Sequence, residues 1–401
     1  MPKFVRALPA VQWQPVLYYG ALVLLFGFLL WWHLGTVPGN FSPTEEVAVL
    51  RSQHVHGIAV QPINAPFLLP LFGLLHVRPS VVSARLIATL VGLLTLSSFY
   101  WLVRAWHGQR AAVFGTLLFG TSAWFLHSAR LGTPDVLLFG LLSLAACGLW
   151  FKRRGTALPV LLGLVLAAAL LYVPGMVWFI VAGVVWQWKT IDRIFKRHLW
   201  MVTAGGALLL AIVAPLGLAI YHRPALAKLL AGLPMYGWPK PFDALRHIVE
   251  VPLQFFWRGP SWPEHWLGRL PILNALCLAM FFLGVYAYAK HVRLVRTQLM
   301  GVILVVGSVL AGLGGGVTTT VIVPFVFILV AAGVGLLLDR WFTVFPRNQI
   351  AQSVGLGLVG LAVAASAWNG YRHYFVAWPA APQTRSVFSV PQAAISGTIR
   401  K

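Results

Sequence analysis

Apolar residues in this chain come in long unbroken runs, with polar residues confined to the short stretches between them. The runs cover 16–34, 86–103, 111–126, 136–151, 158–171, 176–188, 199–221, 270–288, 299–313, 317–338 and 350–368. A helix crosses a bilayer with about 20 apolar residues, within a range of ~17–25. On that criterion the pattern predicts about eleven transmembrane helices. The two runs flanking Tyr172-Val173-Pro174-Gly175 are short and fit a re-entrant hairpin as well as two spans. Either arrangement keeps the parity of the later spans. The expected fold is an all-α polytopic membrane protein, with residues 1–401 as a single transmembrane domain.

The polar stretches give the predicted spans a direction. Lys3 and Arg6 precede the first run, and every second loop after it is short and basic. These loops carry Arg104 and Arg110; Lys152, Arg153 and Arg154; Lys189, Arg193, Lys196 and Arg197; Lys290, Arg293 and Arg296; and Arg340 and Arg347. Cytoplasmic loops carry such an excess of Lys and Arg. The N-terminus is therefore expected in the cytoplasm and the C-terminus outside, in the plasma (inner) membrane. The first run reads as a retained signal anchor, since no small-residue cleavage site follows it. The opposite side receives two long segments, 35–85 and 222–269, and the tail 369–401, which is too short for a soluble C-terminal domain.

Composition agrees. The chain is 59% hydrophobic and 9% charged, with a mean hydropathy of +0.81, which excludes both a soluble globular domain and a disordered chain. The balance of 30 Lys+Arg against 8 Asp+Glu reflects loop sidedness rather than nucleic-acid binding. Cys147 and Cys277 fall inside apolar runs and form no disulfide framework or cysteine metal site. Glu45, Glu46, Asp135, Asp243, Glu250 and Glu264 fall on or near the outer side, so carboxylate chemistry is expected there.

Both long outer segments contain predicted surface helices. Ser42-Pro43-Thr44-Glu45 has the form of a helix start, with Ser42 as N-cap and Glu45 at the capping-box position. Residues 65–76 are too short to span and are expected in the interface. In the second segment Leu245, Ile248, Val249, Leu253 and Phe256 form an apolar stripe. Trp238, Trp257, Trp262 and Trp266 lie close by, as at a headgroup level. A lipid-facing cavity is expected between the two loops.

Three places can carry chemistry. The Glu45-Glu46 pair can supply a general base, or Glu45 can simply cap its helix while Glu46 faces water. In Arg130-Leu131-Gly132-Thr133-Pro134-Asp135, Thr133 can cap and Asp135 suits a helix N-terminus, while Arg130 needs a partner or an anionic ligand. The glycines Gly314, Gly315 and Gly316, ahead of Thr318-Thr319-Thr320, can hold an anion with main-chain N–H groups or form a tight turn. His54 and His56 near the glutamates do not complete a metal ligand set. No cofactor is expected, and a divalent metal has no clear ligands.

Together these pieces resemble the GT-C glycosyltransferases, specifically the polyprenyl- or dolichyl-phosphate sugar transferases related to protein O-mannosyltransferases and the lipid A aminoarabinose transferase. Glu45-Glu46 is similar to the family's Asp-Glu in the first outer loop. Asn64-Ala65-Pro66-Phe67-Leu68-Leu69-Pro70 looks like its interfacial segment, Ser83-Ala84-Arg85-Leu86 like the opening of its second span, and Arg130 to Asp135 like its arginine–aspartate spacing. The resemblance is best over about the first 155 residues and implies an inverting transfer on the extracytoplasmic face. A sugar would move from a polyprenyl-phosphate donor to a hydroxyl of a glycan, lipid or protein. Glu45 or Glu46 would act as base, and Arg85, Arg130 and Asp135 would hold the donor phosphate. The chain departs from the family at Asn64, where relatives carry lysine, and at Thr319-Thr320, where many carry Arg-Tyr. Arg130, Arg223, Arg258 or the amides of Gly314, Gly315 and Gly316 are the expected substitutes. The alternatives are a transporter or flippase of lipid-linked sugars and a GT-C-like scaffold without activity.

Overall fold

The computed structural model describes residues 13–53, 65–197, 199–235 and 237–388, and every described segment of regular structure is helical. Among the described residues, six helices are long and apolar enough to cross a membrane: Val81–Gly120, Pro134–Arg154, Leu199–His222, Val295–Gly312, Thr319–Val344 and Gln349–Ala380. Four shorter apolar helices, Val16–Trp31, Leu158–Leu170, Met176–Trp186 and Ala275–Ala289, account for the remaining runs. Length alone thus supports six crossings. The expected eleven needs the shorter helices and two halves of Val81–Gly120 as well.

That long helix is interrupted at Gly108, whose φ of 85° is open to glycine because it has no Cβ. The chain folds back there. The rings of Phe99 and Phe119 meet at 4.9 Å, whereas a straight helix would separate them by about 30 Å. The two predicted runs around Arg104 and Arg110 are therefore an antiparallel pair.

The helix Val323–Val344 is the centre of the bundle, with every residue from Val323 to Gly335 buried. It packs against Ala275–Ala289 and Val81–Gly120. Backbone approach depends on small residues, as is usual between helices in lipid. A Cβ at Gly284 would strike the Leu329 carbonyl, and one at Gly333 the Met280 carbonyl.

The loops sort by end. At one end Arg296 Nη1 donates to Trp106 O at 2.9 Å, Arg153 Nη2 to Ala105 O at 3.5 Å, and Arg110 lies over the Phe342 ring. These are all segments expected inside. At the other end Thr44 meets Glu264, Thr319 meets Gln254, and Trp378 Nε1 donates to Pro263 O. These are all segments expected outside. The helix Pro43–Ser52 and the short helix Ala65–Leu69 occupy the first outer loop. In the second, Pro241–Leu253 leaves Phe242, Leu245, Val249 and Leu253 exposed along one face, while Gly312 sits against Ile248. Such an amphipathic helix suits the membrane surface.

The basic-loop alternation assigns the first end to the cytoplasm. Cysteine labelling on intact cells is expected to modify a cysteine placed at Ser386 from outside and one at Arg153 only after permeabilisation. Modification of both from the same side would contradict the topology.

Candidate active site where the outer loops meet

Glu45 is fixed from four directions. Ser42 caps the helix Pro43–Ser52, with Glu45 N donating to Ser42 Oγ at 3.1 Å and Ser42 N returning a bond to Glu45 Oε2 at 3.0 Å. Arg85 grips the same carboxylate twice, Nε to Oε1 at 2.8 Å and Nη2 to Oε2 at 2.9 Å. Gly132 N donates to Oε1 at 2.6 Å. Both side chains of the pair are fully buried. Burial pushes the Glu45 carboxyl up, but the Arg85 charge and the surrounding donors outweigh it and hold the group below the usual carboxylate range. The structure contains Glu45 as the helix cap, and its lone pairs are occupied by four donors. As placed, it is a poor proton acceptor. Glu46 beside it is half-buried.

Arg85 and Arg130, expected at the donor phosphate, are bonded within the chain: every N–H of Arg85 has an acceptor, and four of the five N–H groups of Arg130 do. The remaining N–H groups of Arg85 go to the carbonyls of Leu34, Val37, Gly39 and Asn40. Arg130 is fully buried and donates to Leu29 O at 2.6 Å, Leu30 O at 3.1 Å, Trp32 O at 2.6 Å and Tyr374 Oη at 3.2 Å. The Phe375 ring lies 4.7 Å from its guanidinium carbon. The carbonyls left free at the end of the first helix need such donors. Arg130 therefore joins the first helix to the turn before Asp135 and to the C-terminal segment.

Two residues the sequence did not single out complete the site. Glu264 and His265, from the second outer loop, are buried beside the first. Thr44 Oγ1 donates to Glu264 Oε2 at 3.0 Å, and Glu264 Oε1 is buried without a hydrogen bond. His265 Nε2 lies 3.5 Å from Asp135 Oδ2. Glu45, Asp135 and Glu264 are near enough for their charges to interact. Burial, and then the Glu45 charge, raise the Glu264 carboxyl against the lowering influence of the Ser42 and Thr44 hydroxyls. Burial lowers His265 to about 4, against the attraction of Glu45. Thr133 is the N-cap of Pro134–Phe139 but makes no capping bond with its side chain. Nothing in the spacing of Glu264 predicts this meeting, although its position on the outer side did.

The wall behind this cluster is aromatic. His127 is fully buried among Trp378 at 4.2 Å, Tyr374 at 4.9 Å and Trp266 at 5.6 Å. Burial and the neighbouring His373 and His265 hold it well below its usual pKa, so it is neutral.

The other candidates lie elsewhere or serve packing. Asn64, His54 and His56 fall outside the described residues. Arg223 and Arg258 are exposed. A Cβ at Gly315 would overlap the main chain of Gly232, and Gly316 has a φ of +84°. These glycines make a close turn against Gly232 and Pro174, which accounts for them without an anion. Thr319 Oγ1 donates to Gln254 Oε1 at 2.6 Å, tying the hub helix to the second loop. Among the described residues, no three His, Cys, Asp or Glu side chains come together to hold a metal ion. A cavity of about 230 Å³ opens beside Trp266, between Leu270–Asn274 and Asn369–His373. It lies under the second loop but away from the first, unlike the expected cavity between them.

No protein-family model matches the sequence, and no curated protein does. Solved structures do match. The crystal structure of ArnT from Cupriavidus metallidurans bound to undecaprenyl phosphate aligns with a TM-score of 0.50 and 18% identity, over 97% of this chain and 81% of that one. ArnT in the apo state aligns with a TM-score of 0.50 and 16% identity, over 96% and 80%. The chain shares the fold of ArnT, and its described elements are all helical as expected.

Removing one partner of a buried pair leaves an uncompensated charge. Arg85→Met is expected to destabilise the protein by about 3–5 kcal/mol, read as thermal unfolding in detergent. Because the Glu45 pKa is depressed on folding, its contribution is full above the ordinary value of 4.5 and is lost as pH falls through the folded value. Wild type should therefore lose stability on acidification over that window. Glu45→Gln should start lower and lose less. Equal acid sensitivity of the two would contradict the assignment.

Proposed function

We propose that the protein is a membrane glycosyltransferase that moves a monosaccharide from a polyprenyl-phosphate carrier to an acceptor hydroxyl on the extracytoplasmic face. The observation that supports this most strongly is the meeting of Glu45, Glu264, Asp135 and His265 at one end of a bundle with the ArnT fold. ArnT binds undecaprenyl phosphate in one of its crystal structures.

In this reading the acceptor oxygen attacks the anomeric carbon from the side opposite the phosphate. The sugar–phosphate bond breaks with its electron pair going to the phosphate oxygen, and the configuration inverts. The hydroxyl proton passes to a carboxylate. Glu264 fits that role, since one of its oxygens is unbonded and burial raises its proton affinity toward the working range of a general base. Glu45 keeps its charge and places Thr44, whose hydroxyl orients Glu264. Glu46 is the remaining first-loop candidate. Arg223 and Arg258, exposed on the same side of the chain, are the cations available to a departing phosphate. The basic-loop alternation supports a site outside the inner membrane.

Transfer of radiolabelled sugar from synthetic polyprenyl-phosphate donors tests this with the full chain in nanodiscs. Glu264→Gln is expected to lower turnover by about 10²–10⁴, with donor binding retained. Arg258→Ala should weaken both binding and turnover. If Glu264→Gln transfers normally while Glu46→Gln is inactive, the base belongs to the first loop. Failure of the wild type to transfer any sugar from such carriers would overturn the function itself.

A further inference from the structure

The cavity beside Trp266 also has residues of three helices in its lining. Cys277 of the helix Ala275–Ala289, Ser366 of Gln349–Tyr371 and Phe327 of Val323–Val344 line it, with Leu118, Ser122 and Ala123 on a further side. A second cavity of about 210 Å³ lies between the same three helices, lined by Leu276, Met280, Val334, Val359, Ala362 and Val363. Leu276 neighbours Cys277 of the upper cavity, and Val363 is one helical turn from its Ser366. The two volumes are therefore neighbours along the same helices and together make a crevice that is polar at its outer end and apolar below, with the Cys277 and Ser366 side chains 3.9 Å apart on its walls.

Its dimensions match those of a lipid. The Val323–Val344 side runs from Phe327 in the upper part to Leu337 in the lower, which is about 15 Å of helix. One leaflet of a bilayer has a hydrocarbon depth of about 15 Å, half of the ~30 Å core. The surface around the crevice faces the membrane: Phe282, Leu358 and Leu361 are all exposed. A lipid of the outer leaflet would enter in the orientation it already has.

The polar end selects the headgroup. No Lys, Arg, Asp or Glu lines either cavity, so a phosphate there would find no counter-charge. The helix N-terminus at Ala275 is already capped, with Asn274 Oδ1 accepting from Cys277 N at 3.0 Å. What remains is a set of neutral donors and acceptors. Asn274 Nδ2 donates to Ser366 Oγ at 2.6 Å. Asn369 lines the cavity, and both ring nitrogens of His373 are buried without a hydrogen bond. Amides, hydroxyls and an imidazole suit an uncharged polyhydroxyl group. Trp266 lines the cavity and follows Glu264 and His265 in the chain, so the crevice adjoins the acidic cluster.

We infer that this crevice is the acceptor site, and that the acceptor is a membrane lipid with a neutral sugar head. The inference rests on the glycosyl-transfer reading for its meaning but not for its test. Native mass spectrometry of the full chain would compare dioleoylglycerol monoglucoside, polyprenyl phosphate and phosphatidylglycerol as probes. The monoglucoside should bind in preference to phosphatidylglycerol. Ala362→Trp, which fills the apolar part, and Asn369→Leu, which removes a polar group from the head pocket, should each weaken it about tenfold or more. Polyprenyl phosphate binding should be unchanged in both variants, which also shows that they are folded. Equal monoglucoside binding by wild type and both variants would overturn the inference. So would loss of polyprenyl phosphate binding in Ala362→Trp with the monoglucoside unaffected, since the crevice would then serve the donor. Neither result depends on turnover, so a protein that binds the glycolipid but transfers no sugar would refute the enzymatic reading alone.

Discussion

A single buried ion pair, Glu45 with Arg85, organises the outer end of this protein. Two opposite charges removed from water are costly unless every donor and acceptor is met. Here they are, by Ser42, Gly132 and four carbonyls of the first outer loop. The consequence is geometric. The pair fixes the helix Pro43–Ser52 against the start of the second span and against the turn that leads to Asp135. With that helix placed, Thr44 presents its hydroxyl to Glu264, and the second outer loop closes over the first. Arg130 does comparable work one layer away, tying the end of the first helix to Tyr374.

These two arginines explain why charges sit so near the membrane without a ligand. Each is expensive to bury, and each is surrounded by carbonyls that a helix end or an irregular loop leaves unbonded. In the proposed reaction the chemistry falls to groups with incomplete partners: Glu264 with one free oxygen, and Asp135 facing His265 across 3.5 Å.

Much of the fold was legible in the sequence. Runs of apolar residues and alternating basic loops depend on local composition, so the helices and their grouping at two ends followed from them. The Ser42–Glu45 cap was also local, and the structure contains it. The internal partners of the arginines were not legible, because a buried arginine bonded to carbonyls and an arginine waiting for phosphate look identical in sequence. Only the carbonyls of Leu29, Leu30 and Trp32, about a hundred residues from Arg130, tell them apart. Glu264 and His265 were missed for a similar reason. Their partners Thr44 and Asp135 lie far off in the chain, and no spacing rule connects them. The glycines before Thr318 were legible as a turn, and their contact with Gly232 was not.

If Arg85 and Arg130 keep their internal partners, the donor phosphate of the proposed reaction must be met by other cations. A structure of the full chain with a polyprenyl phosphate bound would test this most directly. The account predicts that Arg85 remains on Glu45 and Arg130 on its three main-chain carbonyls, with the phosphate against exposed cations such as Arg223 or Arg258. A phosphate oxygen bonded to the guanidinium of Arg85 or Arg130, with Glu45 released, would contradict it.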